Sequence, residues 1–417
     1  VPKTHIIGAG LSGLSAAVRL AGQGHDVSIY EGAGQAGGRC RSFHDKELDH
    51  LIDNGNHLLL SGNHAAREYL AAIGSDHSLE GPDQARFPFM DLKTGERWTV
   101  SLNDGFIPFW IFDPARRIPN TKITDYLSAL KVVAAGRNRT VTDLVPRDNL
   151  LYERFWDPLA VAVLNMPSDR GAAHLLGRVL RETFLAGGEA CRPRIARDGL
   201  GPSFIAPALS YLQRRGHPVQ FNRRAKALHI EDGRVAKIAF SQGEERVFIG
   251  EQVLLAVPPE RAAELIPGLS VPGEGEVIVN AHFRMAEKVE PWSGENILGL
   301  INSTAQWAFL RDNIISLTIS AAGDIAERRH NDLIPHLWAE VCQAFDLGDR
   351  QYLAARLIKE KRATFDQSPE SVARRPSAKT SLANVFLAGD WTDTGLPATI
   401  EGAIRSGHKA AALIARG

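Results

Sequence analysis

Thr4-His5-Ile6-Ile7-Gly8-Ala9-Gly10-Leu11-Ser12-Gly13-Leu14-Ser15-Ala16-Ala17 is the stretch that decides the fold. A short apolar strand runs into Gly8-x-Gly10-x-x-Gly13, and a helix opens there. The first glycine allows a tight turn, the second lets backbone approach a pyrophosphate, and the third lets helix pack closely on strand. Unpaired N–H groups at the helix start, with Ser12 in its first turn, favour an anion. Gly22-Gln23-Gly24 ends the helix, and Asp26-Val27-Ser28-Ile29-Tyr30 reads as a second strand. Glu31 closes it, about twenty residues after the glycines, where an acid can take ribose hydroxyls. Strand, glycines, helix and acid together predict a dinucleotide site.

Which dinucleotide follows from the next segment. Gly34-Gln35-Ala36-Gly37-Gly38-Arg39-Cys40-Arg41-Ser42 is a second glycine loop with a guanidinium inside it. An NAD-only domain has no use for such a loop. FAD is longer and threads deeper, and its second phosphate and flavin call for more backbone donors and a cation. Here the sequence resembles the large FAD family of amine oxidases and carotenoid-type desaturases. Gly37-Gly38-Arg39 matches that family's second motif, and Asp53-Asn54-Gly55-Asn56-His57 matches its next contact with the flavin. The resemblance implies FAD as cofactor, with Gly55, Asn56 and His57 beside it. It also implies an α/β fold of the amine oxidase and GDP-dissociation-inhibitor type. A Rossmann-type FAD-binding domain is built from three chain segments, with an interleaved α+β substrate-binding domain.

The expected FAD segments are residues 1–65, 196–262 and 371–417, and the substrate segments 66–195 and 263–370. Near the C-terminus, Asn384-Val385-Phe386-Leu387-Ala388-Gly389-Asp390-Trp391-Thr392 reads as a strand ending in Gly389-Asp390. Asp390 suits the hydroxyl-rich ribityl and phosphate region. The following helix, opening near Ile400, can turn its N–H groups to the flavin edge where negative charge gathers on reduction. In the family the position of Ala225 holds the adenine through its backbone. Around it, Ala225 to Glu231, Asp232-Gly233 and Arg234 to Phe240 predict a hairpin.

Between these segments lie apolar stretches. Six of the seven residues from Phe106 to Phe112 are large and apolar, and Arg116 and Arg117 follow. Two readings stand for this run: core or pocket lining, and a dip into a membrane surface. The same two apply to the amphipathic helix expected from Ile123 to Ala135. A further helix is expected from Ser168 to Leu185. Phe155-Trp156-Asp157-Pro158-Leu159 and Leu164-Asn165-Met166-Pro167 bracket another apolar stretch. Together with the Asp53–His57 loop and Ala388-Gly389-Asp390-Trp391-Thr392, these resemble the squalene-associated FAD proteins of bacterial hopanoid pathways, the hydroxysqualene dehydroxylases.

The resemblance implies reductive loss of an allylic hydroxyl from a C30 isoprenoid, with reduced FAD as electron source. Such chemistry asks for a proton donor, an apolar tunnel and a flavin face. Candidate acids are Asp53, His57 and Asp157. Each has a plain alternative: Asp53 fixing its loop, His57 packed and hydrogen-bonded, Asp157 capping a helix or turn. Three rival functions remain: an isoprenoid desaturase, an amine oxidase with Trp391 beside the amine, and a prenyl-lipid escort without flavin. The electron donor stays open.

Composition narrows the partners. Forty-eight basic and forty-eight acidic residues cancel, so a nucleic-acid partner is not expected. Three separated cysteines, Cys40, Cys191 and Cys342, argue for a reducing compartment and against a metal cluster. The expected location is cytoplasmic, either free or resting on the inner face of the cell membrane.

Overall fold

The computed structural model describes residues 3–416. Five parallel strands form one sheet, in the spatial order Val219–Gln220, Asp26–Tyr30, Lys3–Ile7, Gln252–Leu255 and Val385–Leu387. Chain order reverses at Lys3–Ile7: both its neighbours follow it in the sequence, Asp26–Tyr30 on one side and Gln252–Leu255 on the other. A crevice opens beyond the carboxyl end of a strand at such a reversal, and here that end carries Gly8, Gly10 and Gly13. The helices Leu11–Gly22 and Ile400–Ile414 lie against each other over this sheet. Their close approach depends on Gly407, because a side chain there would collide with Ser15 and the carbonyl of Ser12.

A second sheet has seven strands, in the order Ala354–Glu360, Ile278–Arg284, Ile314–Ile319, Trp307–Arg311, Ile297–Ile301, Arg86–Asp91 and Arg97–Ser101. All neighbours are antiparallel except Ile297–Ile301 with Arg86–Asp91. The first sheet draws only on residues 1–65, 196–262 and 371–417, and the second only on 66–195 and 263–370. On that separation we propose those segments as the two domains. The expected hairpin is present, Ala225–Glu231 with Arg234–Phe240, and Asp232 and Gly233 both take positive φ at its turn.

Several expectations need correction. Phe106–Phe112 is neither strand nor core. Phe109–Phe112 forms a short 3₁₀ turn, and Phe106, Phe109 and Phe112 are 74%, 62% and 59% exposed. Trp110 turns inward, edge-on to Tyr126 at 5.4 Å between ring centroids, and Ile111 is half-buried against the same cluster. Pro108 and the polar turn Asn103–Gly105 break the extended pattern, as proline does within sheets. The helix expected over 123–135 is a 3₁₀ turn, Ile123–Leu127, followed by Ser128–Val133, and its Ile123, Leu127 and Leu130 also face outward. The helix expected over 168–185 contracts to Ala173–Glu182. Strands Ile297–Ile301, Trp307–Arg311 and Ala354–Glu360 carry no turn or alternation signal strong enough to have been predicted.

Candidate active site

The glycine loop is built by three glycines with different physical reasons. Gly8 has φ +107°, and a side chain there would run into the carbonyl of Ala256. A side chain on Gly13 would meet the carbonyl of Gly8. Gly10 is different: its backbone is ordinary, with φ −75° and ψ 178°, and a Cβ would meet nothing within 4 Å. The fold therefore dictates Gly8 and Gly13, whereas only something outside the chain accounts for Gly10. Gly37 pairs with Gly10 in an isolated parallel bridge, and a Cβ on Gly38 would lie 3.6 Å from Gly10 Cα, so the two glycine loops share one floor. An open cradle of backbone at a helix start suits a pyrophosphate.

Glu31 braces this floor. Its two carboxylate oxygens accept from the backbone N–H of Ala9 at 2.9 Å and Ala33 at 2.8 Å. The N–H of Arg223 donates to the Glu31 carbonyl, which brings the segment leading to Ala225 alongside. Ala225 itself is buried, and its carbonyl accepts from Arg261.

At the other end of the crevice, Arg39 Nη2 donates to both oxygens of Asp390 at 2.7 Å, and its Nη1 to the carbonyl of Ala363. The expected phosphate cation thus forms a fork with the expected ribityl acid, joining the first and third nucleotide segments. Gly389 donates to Ser406 Oγ on the closing helix. Thr399 caps that helix by accepting from the N–H of Gly402, so Ile400 stands at its first position. Arg375 was not anticipated. Buried and without a carboxylate bonded to it, it donates to the carbonyls of Asp390, Trp391, Thr392 and Leu396. Burial pulls its pKa down to about 10 despite Asp393 and Asp390. It holds the loop between Asp390 and the helix in shape. No local pattern marks such an arginine, because its partners are carbonyls.

The three candidate acids part company. Asp53 is buried at the end of the strand His50–Asp53, and both its oxygens are taken. Oδ1 accepts from Ser42 Oγ at 2.5 Å and the Leu200 N–H at 2.9 Å, and Oδ2 from Arg311 Nη1 at 2.7 Å. This carboxylate ties the hairpin Ser42–Asp53 to the second sheet, so its structure matches the loop-fixing alternative. Asp157 begins the helix Asp157–Leu164 and accepts from Ser168 Oγ and Tyr152 Oη, side-chain hydroxyls and not the backbone N–H groups that the expected cap would hold. His57 stands apart. It is accessible, yet enough protein surrounds it for burial to lower its pKa below the usual imidazole value; Asp53 opposes the shift and Arg39 adds to it. No protein hydrogen bond engages its ring among the described residues. Asn56 beside it donates to Thr318 Oγ1 at 3.0 Å and Asn280 Oδ1 at 3.4 Å.

Removing the Asp53 charge tests its structural role. Asp53→Ala leaves Arg311 unpaired in a largely buried site, which costs about 3–5 kcal/mol. Urea unfolding should show that loss, and Asp53→Asn a smaller one. Squalene formation reduced by Asp53→Asn at unchanged stability and flavin content would return Asp53 to the chemistry.

Leu58, the residue after His57, packs against an apolar cluster. Phe155, Leu159 and Val163 recur every fourth residue, share one helix face and are half-buried. Leu58, Trp307 and Phe309 are half-buried in the same cluster. Trp391 is not on this surface: it is packed in the core of the first domain, donating to the carbonyl of Val257 at 2.9 Å.

The profile of the flavin containing amine oxidoreductase family matches residues 11–415. The chain belongs to that family. Within it, the chain is 44% identical over 416 residues to a hydroxysqualene dehydroxylase of Sinorhizobium fredii, covering 99% of this chain and 98% of that one. It is 45% identical to a hydroxysqualene dehydroxylase of Rhodopseudomonas palustris, over 98% of this chain and 97% of the other. Cyclohexylamine oxidase from Brevibacterium oxydans shares the fold, with TM-score 0.74 at 14% identity over 100% of this chain and 99% of that one. This member of the family is an FAD-dependent oxidoreductase, and the open cradle at Gly10 fits its cofactor.

Proposed function

We propose that this flavoenzyme removes the hydroxyl group of hydroxysqualene and leaves squalene. The observation that carries the reading is the unpartnered His57 beside Leu58, which packs against the apolar cluster that also holds the half-buried Phe155, Leu159 and Val163. Such a site has one proton donor and a surface for hydrocarbon, the needs of a substrate with a single polar handle. The near-full-length likeness to relatives of that name supports it.

Gly8, Gly10, Ser12, Gly13 and Glu31 would hold the dinucleotide end of FAD, with Ala225 at the adenine. Gly37, Gly38, Arg39, Gly55, Asn56, Gly389, Asp390 and Ile400 would hold its flavin half. When bound, reduced FAD would supply a hydride, which carries both electrons of the reduction. The chain does the rest. His57 in its protonated form gives its proton to the departing oxygen, so that the C–O bond breaks with water as leaving group. Phe155, Leu159 and Val163 seat the hydrocarbon and keep bulk water from the carbon left electron-poor. Asp53 and Asp157, held by their own partners, shape the walls. Trp391, the aromatic expected beside the amine in an amine oxidase, is sealed in the core instead.

The test is anaerobic. Holoenzyme reduced with dithionite and mixed with hydroxysqualene should yield squalene and oxidised flavin in equal amounts. Hydroxysqualene left intact while squalene or phytoene loses hydrogen to oxidised holoenzyme would replace this reading with a desaturase.

We also propose that the lipid is collected at a membrane surface. Phe106, Ile107, Phe109, Phe112, Ile123, Leu127 and Leu130 are exposed on two segments joined by the Trp110–Tyr126 contact. Exposed Lys122 and Lys131 flank them, suited to anionic headgroups. Arg116 and Arg117, the cations expected there, instead brace the loop by donating to the carbonyls of Ser101 and Ile111. No helix among the described residues is long and apolar enough to cross a membrane. Replacing Phe106, Phe109 and Phe112 with Ser should weaken binding to anionic liposomes at least tenfold and leave flavin content unchanged. Unaltered liposome binding, or a change confined to self-association, would remove the membrane from the account.

A further inference from the structure

The seven-stranded sheet changes character across its width. In antiparallel strands, residues directly opposite point to one face. Asn280 stands opposite Thr318, which stands opposite Trp307; one row on, His282 stands opposite Ser316 and Ser316 opposite Phe309. The face is therefore polar on the strands Ile278–Arg284 and Ile314–Ile319 and aromatic on Trp307–Arg311. The loop Asn54–His57 covers the polar part, since Asn56 bonds both Asn280 and Thr318.

Asn280 is fully buried, yet its Nδ2 has no partner among the described residues. Its amide orientation is set by neighbours: Oδ1 accepts from Thr318 Oγ1 at 2.9 Å and from Asn56 Nδ2, and a flipped amide would oppose two NH₂ groups. A buried donor without an acceptor is costly and marks where a ligand's oxygen belongs. Gly55 shows where. Its φ is not positive, so its backbone does not demand glycine. A Cβ on Gly55 would lie 3.5 Å from Asn280 Nδ2 and 4.0 Å from His57 Nε2, filling the space between them.

We infer that Asn280 Nδ2 and His57, above Gly55, bind the substrate's hydroxyl group, with the aromatic side of the same sheet taking the hydrocarbon. The inference rests on the proposed dehydroxylation and adds a recognition residue to it. Asn280 donates a hydrogen bond to the hydroxyl oxygen and leaves that oxygen's remaining lone pair to the His57 proton. The product lacks the oxygen, so its release breaks no polar contact beyond those the site loses with water.

The experiment compares two probes, hydroxysqualene and squalene, titrated in detergent into oxidised holoenzyme and read by the flavin absorbance shift. Wild-type protein should bind hydroxysqualene at least tenfold more tightly. Asn280→Asp keeps the acceptor for Thr318 and Asn56 but removes the donor. It should lose that preference by lowering hydroxysqualene affinity about tenfold or more, with squalene affinity and flavin content unchanged; a site built to bond a hydroxyl discriminates strongly by it. Asn280→Leu, which keeps the side chain's shape and removes the whole amide, should do the same, and serves where Asn280→Asp does not fold. An intact preference in a folded variant overturns the inference, as does equal loss of both ligands, which would make Asn280 merely structural. Wild-type holoenzyme that reduces hydroxysqualene while the variant keeps its preference leaves the dehydroxylase reading standing and this one fallen. Wild-type holoenzyme that neither binds nor converts hydroxysqualene removes both.

Discussion

His57→Ala holoenzyme is expected to keep its FAD and its folded stability and to form squalene about 10²–10⁴-fold more slowly in single turnover, the usual worth of a general acid. The expectation follows from what surrounds the three candidates. Asp53 and Asp157 are each tied to other protein groups, whereas the His57 ring is accessible and has no hydrogen bond of its own. Ionising an allylic alcohol against an apolar wall without a proton is unfavourable, so the loss should appear in the chemical step. The pH dependence gives a second readout. Burial lowers the His57 pKa, so the acid form that must donate is present below an inflection lying under 6.5 and is lost as pH rises through it. The single-turnover rate of the wild-type protein should therefore climb as pH falls through that region and level off below it, and His57→Ala should flatten the profile. A wild-type rate that rises with pH, or a His57→Ala protein as fast as wild type with full flavin, would pass the proton to a bound water.

Gly10→Val is expected to give a folded, colourless protein. The substitution is informative because the chain itself has room for it: nothing lies within 4 Å of a Cβ at Gly10, and its φ of −75° suits valine. Substitution at Gly8 or Gly13 collides with the protein's own carbonyls and cannot separate folding from binding. A branched side chain at Gly10 stands in the space open to the pyrophosphate, so affinity for FAD should fall by several orders of magnitude. Circular dichroism checks the fold, and flavin released by acid measures content, which should be near one per chain in wild type and near zero in the variant. Normal flavin content in Gly10→Val would mean that the phosphates lie elsewhere.

The elements legible in the sequence are those whose chemistry is local. The Gly8–Gly13 turn, the acid closing the second strand, the Asp232-Gly233 hairpin and the strand into Gly389-Asp390 depend on neighbours a few residues away. Residue type at fixed spacing was enough to read them, and the family resemblance that these motifs carry implied the α/β fold and the cofactor. His57 could be named because it sits inside such a motif. What it does among three candidate acids could not, because Asp53 and Asp157 are distinguished from it only by partners distant in the chain, such as Arg311.

The tertiary structure decided the rest. Arg39 meets Asp390 across 351 residues, and Asn56 meets Thr318 across 262. Arg375 spends its donors on carbonyls, which carry no side-chain signature. The Phe106–Phe112 run is apolar whether it lines a core or faces lipid, so composition alone left both readings open, and the structure takes most of the run out of the core. Asn280 is the plainest case. In sequence it is one polar residue in an apolar strand; only the packing of loop Asn54–His57 on the sheet leaves its amide buried without a partner. Periodicity and motif spacing report which way a residue faces along its own element. The cost of an unpaired donor is set by everything else that folds against it.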